Sequence, residues 1–224
     1  MRILLTNDDG YYSTGINLLY DILSKHHEVV IVAPKEVMSA KSVSIILGKL
    51  VEVKQINDHT FAMEGTPADC VAFGLSSLNK KFDLVVSGCN HGFNISYDTM
   101  YSGTIGAGLQ ALTYRVPAIA ISCEHNFEVI EKCFEEVFSN IIDSNLLSTE
   151  YILNVNFPLG NEVKGIKFTH IYYRRETTYY LKNSDGYYAT RELHDENCED
   201  EDSDVYTVHH GYVSISKLKK SLDM

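Results

Sequence analysis

The sequence predicts an α/β protein: a mostly parallel sheet flanked by helices, with a β-rich hairpin arm at its C-terminal end. Three observations predict it. Short apolar runs stop abruptly at polar residues, as strands buried on both faces do. The segments between them carry apolar residues at helical spacing. From about Tyr151 the texture shifts to tyrosine, threonine and alternating β-formers.

Residues 2–6, Arg-Ile-Leu-Leu-Thr, form the first such run. Residues 14–25 follow with Ile16, Leu18, Leu19, Ile22 and Leu23 on one face, a helix for which Thr14 is a plausible N-cap. Residues 29–33 are a second apolar strand, closed by Pro34. Strand, helix and strand in so short a span make a βαβ unit, which implies parallel pairing. Thr66-Pro67 pairs a capping residue with proline at the first helical position, opening a helix to about Leu78. Residues 83–87 give a strand, 103–115 a helix, 117–121 a strand and 127–142 a helix. Beyond Tyr151, segments such as Thr177-Thr178-Tyr179-Tyr180 predict hairpins rather than further βαβ units. With no linker, repeat or composition break, residues 1–224 read as one domain. Within it, residues 1–150 form the strand-and-helix core and residues 151–224 a β-rich extension suited to oligomer contacts.

Composition narrows the function classes. A chain of 224 residues, 45% hydrophobic, buries one sizeable core. No stretch approaches the roughly 20 apolar residues of a membrane span, and residues 1–9 turn polar too early for a signal peptide. A cytoplasmic protein with no membrane partner is expected. Five irregularly spaced cysteines without a Cys-x-x-Cys pair suggest reduced thiols, neither a disulfide framework nor a zinc knuckle. A net charge of −11 disfavours a nucleic-acid polymer as partner. It leaves room for a small anion beside a bound cation. Asp195, Glu196, Glu199, Asp200, Glu201, Asp202 and Asp204 crowd the last quarter and read as a solvated loop.

Ligands of open parallel sheets bind beyond the carboxyl ends of the strands. Asn7, Asp8, Asp9 and Gly10 follow the first strand, and the loop 34–41 with Ser39 follows the second. Ser87, Gly88, Asn90, His91, Gly92 and Asn94 follow the third. Two carboxylates, amides and hydroxyls are hard oxygen donors, suited to Mg²⁺ or Mn²⁺. Adjacent carboxylates also raise each other's pKa until a cation relieves them. Asp8-Asp9 alone reads equally as a polar turn; the convergence of three polar strand ends points to a site. Ser102-Gly103-Thr104 opens a helix with hydroxyls and glycines, which suits a phosphate and, taken alone, also suits an ordinary capped helix. No lysine follows to make it a P-loop, and Gly10 begins no dinucleotide fingerprint.

In this order the pieces resemble the stationary-phase survival protein family SurE. The matching segments are residues 1–10, Val32-Ala33-Pro34 with Ser39-Ala40, and Gly65 to Val71. Asp83 to Gly92 with Asn94, Tyr101 to Thr104, Asn154 to Pro158, and Asp204-Val205 with Gly211 to Ile215 complete them. The resemblance implies a Rossmann-like core with an arm exchanged between subunits, giving homodimers or homotetramers. It implies metal-dependent hydrolysis of nucleoside 5'- or 3'-monophosphates, with some activity on short polyphosphate. By the same resemblance Asp8, Asp9, Ser39 and Asn90 hold one divalent metal ion (Mg or Mn), with Asp8 and Asp9 catalytic. Asn94, Ser102, Gly103 and Thr104 form the phosphate pocket. Met38, Ser96, Gln110 and Ser216-Lys217-Leu218 depart from the family pattern without removing any of these residues.

His91, next to Asn90, is a candidate for protonating the leaving oxygen, as is solvent. A phospho-aspartate route would need an Asp-x-Asp pair, and Asn7 stands two residues before Asp9. A non-catalytic nucleotide sensor on the same fold is the alternative reading.

Overall fold

The computed structural model describes residues 1–124, 127–160, 162–173, 176–193 and 198–219. In chain order the elements are β1 (Arg2–Thr6), α1 (Thr14–Leu23), β2 (Glu28–Pro34), β3 (Val53–Asn57), β4 (Thr60–Met63) and α2 (Pro67–Ser77). They continue with β5 (Leu84–His91), α3 (Asp98–Tyr101), α4 (Gly103–Thr113), β6 (Ala118–Cys123) and α5 (Glu128–Asp143). The last are β7 (Tyr151–Asn156), β8 (Ile166–Thr169), β9 (Glu176–Asn183), β10 (Gly186–Leu193), α6 (Asp204–His209) and β11 (Val213–Lys219).

One sheet runs β3-β4-β2-β1-β5-β6-β7-β11-β8. From β4 to β7 every neighbouring pair is parallel, while β3 and β11 run antiparallel to β4 and β7. The chain starts in the middle, winds outward through β2 and β4, then returns to the far side of β1 as β5. The order therefore reverses between β1 and β5, where crevices form at the carboxyl ends.

Strand pleating divides the core in two. Ile3 and Leu5 face α1 and α5, among Ile16, Leu19, Ile130 and Phe134. Leu4 faces α2 and α4, among Cys70, Val71, Ile105 and Leu112. Both faces of β1 are thus covered, which is why its sequence shows no polar alternation. Gly74 permits the close approach of α2, since a Cβ there would lie 2.7 Å from both methyls of Leu4.

The structure corrects several expectations. Thr14 is the first residue of α1, not its cap; Ser13 holds the cap position, and its hydroxyl accepts from Asn7 instead. Residues beyond Tyr151 do not form hairpins alone. β7 is a buried parallel partner of β6, because α5 supplies the crossover that a parallel pair needs. β11 and β8 extend the same sheet, so no sheet break falls at residue 150; β9 and β10 alone stand apart as an antiparallel hairpin. β3 lay hidden in the sequence because it is a mostly exposed, largely polar edge strand. Asp204 is not a solvated loop residue: it is fully buried at the start of α6. Asp195 and Glu196 lie outside the described residues. All five cysteines are free thiols. Among the described residues no helix is long and apolar enough to cross a membrane.

Candidate active site

The turn after β1 is shaped by Asn7. Its buried amide donates to the carbonyl of Gly10 at 3.0 Å and to the hydroxyl of Ser13 at 2.8 Å. Gly10, at φ +96°, takes the left-handed conformation the turn requires. Asp8 and Asp9 project from this turn over the β1/β5 reversal point.

Asp8 is 5% exposed, and its Oδ1 accepts from the hydroxyl of Thr104 at 2.6 Å. Burial pushes its carboxyl up to about 6; the Thr104 bond opposes the rise and the charge of Asp9 adds to it. Asp9 is half-buried, and burial raises its pKa as well, against a backbone N–H of His91 donating at 3.3 Å. Both carboxylates are thus held at close quarters on neutral donors.

Ser39 arrives on the loop after β2. The N–H of Met38 donates to the carbonyl of Asp8 at 2.7 Å, and the N–H of Ser42 to that of Tyr101 at 2.8 Å. A Cβ on Gly106 would run into the Ser42 carbonyl, so glycine there lets the loop lie directly on α4. Farther along, the capping box of Thr66 and Asp69 also binds the loop. Thr66 donates to the Ser44 carbonyl at 2.6 Å, and the N–H of Ile46 donates to Asp69 Oδ1 at 3.1 Å.

β5 bulges between Ser87 and Asn90. Gly88 sits at φ +135° with the Ile121 carbonyl where a side chain would project, so the bulge requires glycine. Past it, Asn90 donates its amide to the Gly92 carbonyl at 2.8 Å, which leaves Oδ1 as the oxygen available to a ligand. Asn94 is fastened on three sides. Its N–H donates to Asn156 Oδ1 at 2.8 Å, and its Nδ2 to Ser122 at 2.8 Å. Its carbonyl accepts from Asn154 at 2.8 Å and Asn156 at 3.1 Å. Two residues on, Ser96 adopts φ +52°, and its N–H donates to the buried carboxylate of Asp204 at 2.8 Å. Asp204 also accepts from the N–H of Tyr172 at 2.9 Å. The site loop is therefore bound to the C-terminal elements.

Together these residues enclose a cleft of about 500 Å³, in which Asp8, Asp9, Ser39, Asn90, Asn94 and Ser102 share the lining with His91, Phe93, Tyr101 and Arg191. Six of the eight site residues implied by the resemblance thus meet in one cavity, together with the candidate proton donor His91. The other two lie behind it. Gly103 packs on Asp8, where a Cβ would come within 3.0 Å of both Cβ and Oδ2. Thr104 is fully buried, and its hydroxyl serves Asp8 rather than the cavity. Ser102 caps α4 by accepting from the N–H of Ile105 at 3.1 Å.

A family model described as "Survival protein SurE" matches residues 3–178. The chain belongs to the SurE family. It is 36% identical to the 5'-nucleotidase SurE of Clostridium botulinum (strain Alaska E43 / Type E3), over 97% of this chain and 93% of that protein. It is also 36% identical to the 5'-nucleotidase SurE of Haemophilus influenzae (strain 86-028NP), over 99% of this chain and 92% of that one. The crystal structure of the SurE protein from Aquifex aeolicus superposes with a TM-score of 0.86 at 33% identity, covering 99% of this chain and 94% of that one. The Rossmann-like core expected from the family resemblance is present.

The family is generally metal-dependent, and the donors here suit a hard cation. One buried and one half-buried carboxylate share one turn with raised pKa values, the state that a divalent ion relieves. Among the described residues no three His, Cys, Asp or Glu side chains gather to hold a metal. Ser39 and Asn90 line the same cleft as the two carboxylates and offer neutral oxygens beside them.

Sequence reasoning missed Ser122 and, although Asn154, Asn156 and Asp204 lie in segments that match the family, assigned none of the four a supporting role. The signal for two of them was Asn154-Val155-Asn156 inside an otherwise apolar strand. Polar residues on a strand buried throughout have to be hydrogen-bonded to something specific.

Proposed function

We propose that the protein is a metal-dependent phosphomonoesterase that hydrolyses nucleoside 5'-monophosphates to nucleoside and phosphate, with 3'-monophosphates and short polyphosphate as further substrates. Membership of a family whose named relatives are 5'-nucleotidases supports the reaction class. The observation that carries it in this chain is the pair of adjacent carboxylates, Asp8 buried and Asp9 half-buried, at the β1/β5 reversal point, beside the capped start of α4.

Asp8, Asp9, Ser39 and Asn90 would hold one Mg²⁺ or Mn²⁺. Bound there, such an ion supplies a Lewis acid for phosphoryl oxygens and lowers the pKa of water. The protein's own groups do the rest. Apart from that of Ile105, which donates to Ser102, the first N–H groups of α4 have no intrahelical partner and attract an anion, aided by the helix dipole. Ser102 and the amide of Asn94 flank that point and orient the phosphate. Thr104 fixes the rotamer of Asp8 from behind. Asp9, the less buried carboxylate, takes the proton of the attacking water.

The arm presents Tyr180, Tyr187 and Tyr188 at 70%, 68% and 51% exposure, a surface suited to contact with a second copy. That surface supports a homodimer or homotetramer; the proposal further places the protein in the cytoplasm, with neither nucleic acid nor membrane as partner.

Phosphate release from a panel of nucleoside 5'- and 3'-monophosphates, with Mg²⁺, Mn²⁺ or EDTA, tests the reading. Release that needs metal and varies with the base is expected. Tight nucleotide binding without release would instead identify a sensor.

A further inference from the structure

One wall of the cleft comes from outside the main sheet. Arg191 lies on β10, in the arm, yet lines the same cavity as Asp8 and Ser102. Its Nη1 meets Asp98 Oδ1 at 2.8 Å, and its guanidinium carbon lies 5.6 Å from the centre of the Tyr101 ring. Asp98 and Tyr101 are the two ends of α3, the single turn that leads into Ser102. The arm therefore places a flat cation over a flat ring immediately beside the phosphate end of the site. Tyr101 remains 51% exposed, so its ring stays accessible beside the guanidinium.

We infer that Arg191 and Tyr101 form the platform for the nucleoside half of the substrate, making Arg191 a specificity-determining residue contributed by the arm. This rests on the phosphomonoesterase reading above. With phosphate held at Ser102, the ribose and base have to extend along the cleft, whose lining also includes Tyr101 and Arg191. A guanidinium is planar, weakly hydrated and stacks on rings, and bases stack on arginine and tyrosine planes alike. The ion pair with Asp98 argues against the alternative of a second phosphate clamp. A cation already matched to a carboxylate brings little net charge to a dianion, but keeps its flat face. A lysine would keep the ion pair and lose that face.

The test compares full-length wild type, R191A, R191K and Y101L, saturated with metal, on a purine nucleoside 5'-monophosphate and on glycerol phosphate, which has no base. The ratio of kcat/KM for the nucleotide to that for glycerol phosphate should fall about tenfold in all three variants, the loss expected for one stacking contact. The loss should lie chiefly in KM for the nucleotide. If both substrates suffer equally, or if R191K restores the wild-type ratio, Arg191 merely anchors the arm to Asp98 and the proposal is overturned. Wild type that releases phosphate from neither substrate would overturn the underlying reading, a result distinct from either.

Discussion

The hydroxyl of Thr104 donates to Oδ1 of Asp8 at 2.6 Å, across a sequence separation of 96 residues. It is the contact that joins the start of α4 to the turn after β1. In the proposed metal site Thr104 would act on the cation through the carboxylate it orients. Groups of this kind, one shell behind a metal ligand, typically contribute about 10–100-fold to metal affinity. Thr104→Val should weaken Mn²⁺ binding by about that factor in a titration calorimeter, while Thr104→Ser restores most of it. Equal affinity in the valine variant would mean the hydroxyl only fills space.

Replacing Asp8 itself separates function from stability. Asp8→Asn should abolish metal-dependent phosphate release. It should also stabilise the metal-free protein, because it removes a carboxylate whose pKa burial has raised from 3.8 to about 6. A shift of that size corresponds to at most about 3 kcal/mol at pH 8. Urea unfolding in EDTA measures it, and a less stable D8N protein would contradict the burial argument.

The same carboxyl sets a pH dependence. The folded chain keeps the Asp8 proton up to about pH 6, whereas the unfolded chain releases it near 3.8. Between those values the folded state binds more protons, so this contribution to metal-free stability is lost as pH rises through that window. Metal affinity runs the other way, since the proton has to leave before the cation binds. Affinity should climb from pH 5 to pH 7 and flatten above; a profile flat from pH 5 onward would remove Asp8 from the ligand set.

Gly103→Ala should damage the site at short range. The new methyl would stand 3.0 Å from Asp8 Cβ and 3.1 Å from Pro67 Cγ, so α4 or the carboxylate has to shift. A small overpacked site typically costs about 1–3 kcal/mol. A drop in kcat/KM of about tenfold or more is expected, with a lowered melting temperature; wild-type kinetics would show that the turn after β1 yields freely.

Ser102→Ala tests the start of α4. Loss of the bond from the Ile105 N–H should lower stability by about 1 kcal/mol, as for other N-caps. If the hydroxyl also binds phosphate in the ground state, KM rises more than kcat falls. A stability change without any change in KM would leave Ser102 a cap alone.

Much of this site could be read from the sequence because a buried parallel strand is apolar until its carboxyl end, and the break marks the ligand edge. Asp8, Asp9, Asn90 and Asn94 were visible for that reason, and the helix beginning at Thr66-Pro67 for its cap. What stayed hidden depends on distant partners. The direction of the Thr104 hydroxyl is decided by Asp8. The burial of Asp204, within a run of acidic residues, is decided by the N–H groups of Ser96 and Tyr172. The place of β7 in the main sheet depends on counting α5 as a crossover. Arg191 sits in a tyrosine-rich hairpin with no local mark of a site at all.

The fastening of the Ser96 loop by Asp204 has a temporal meaning. On the ribosome, both aspartates, Ser39 and Asn90 emerge early, with most of the parallel sheet. The strand that carries Asn154 and Asn156 follows later, and the carboxylate that clamps the Ser96 N–H later still. A nascent polypeptide thus cannot close the Asp204 clamp on the Ser96 loop until translation has reached α6.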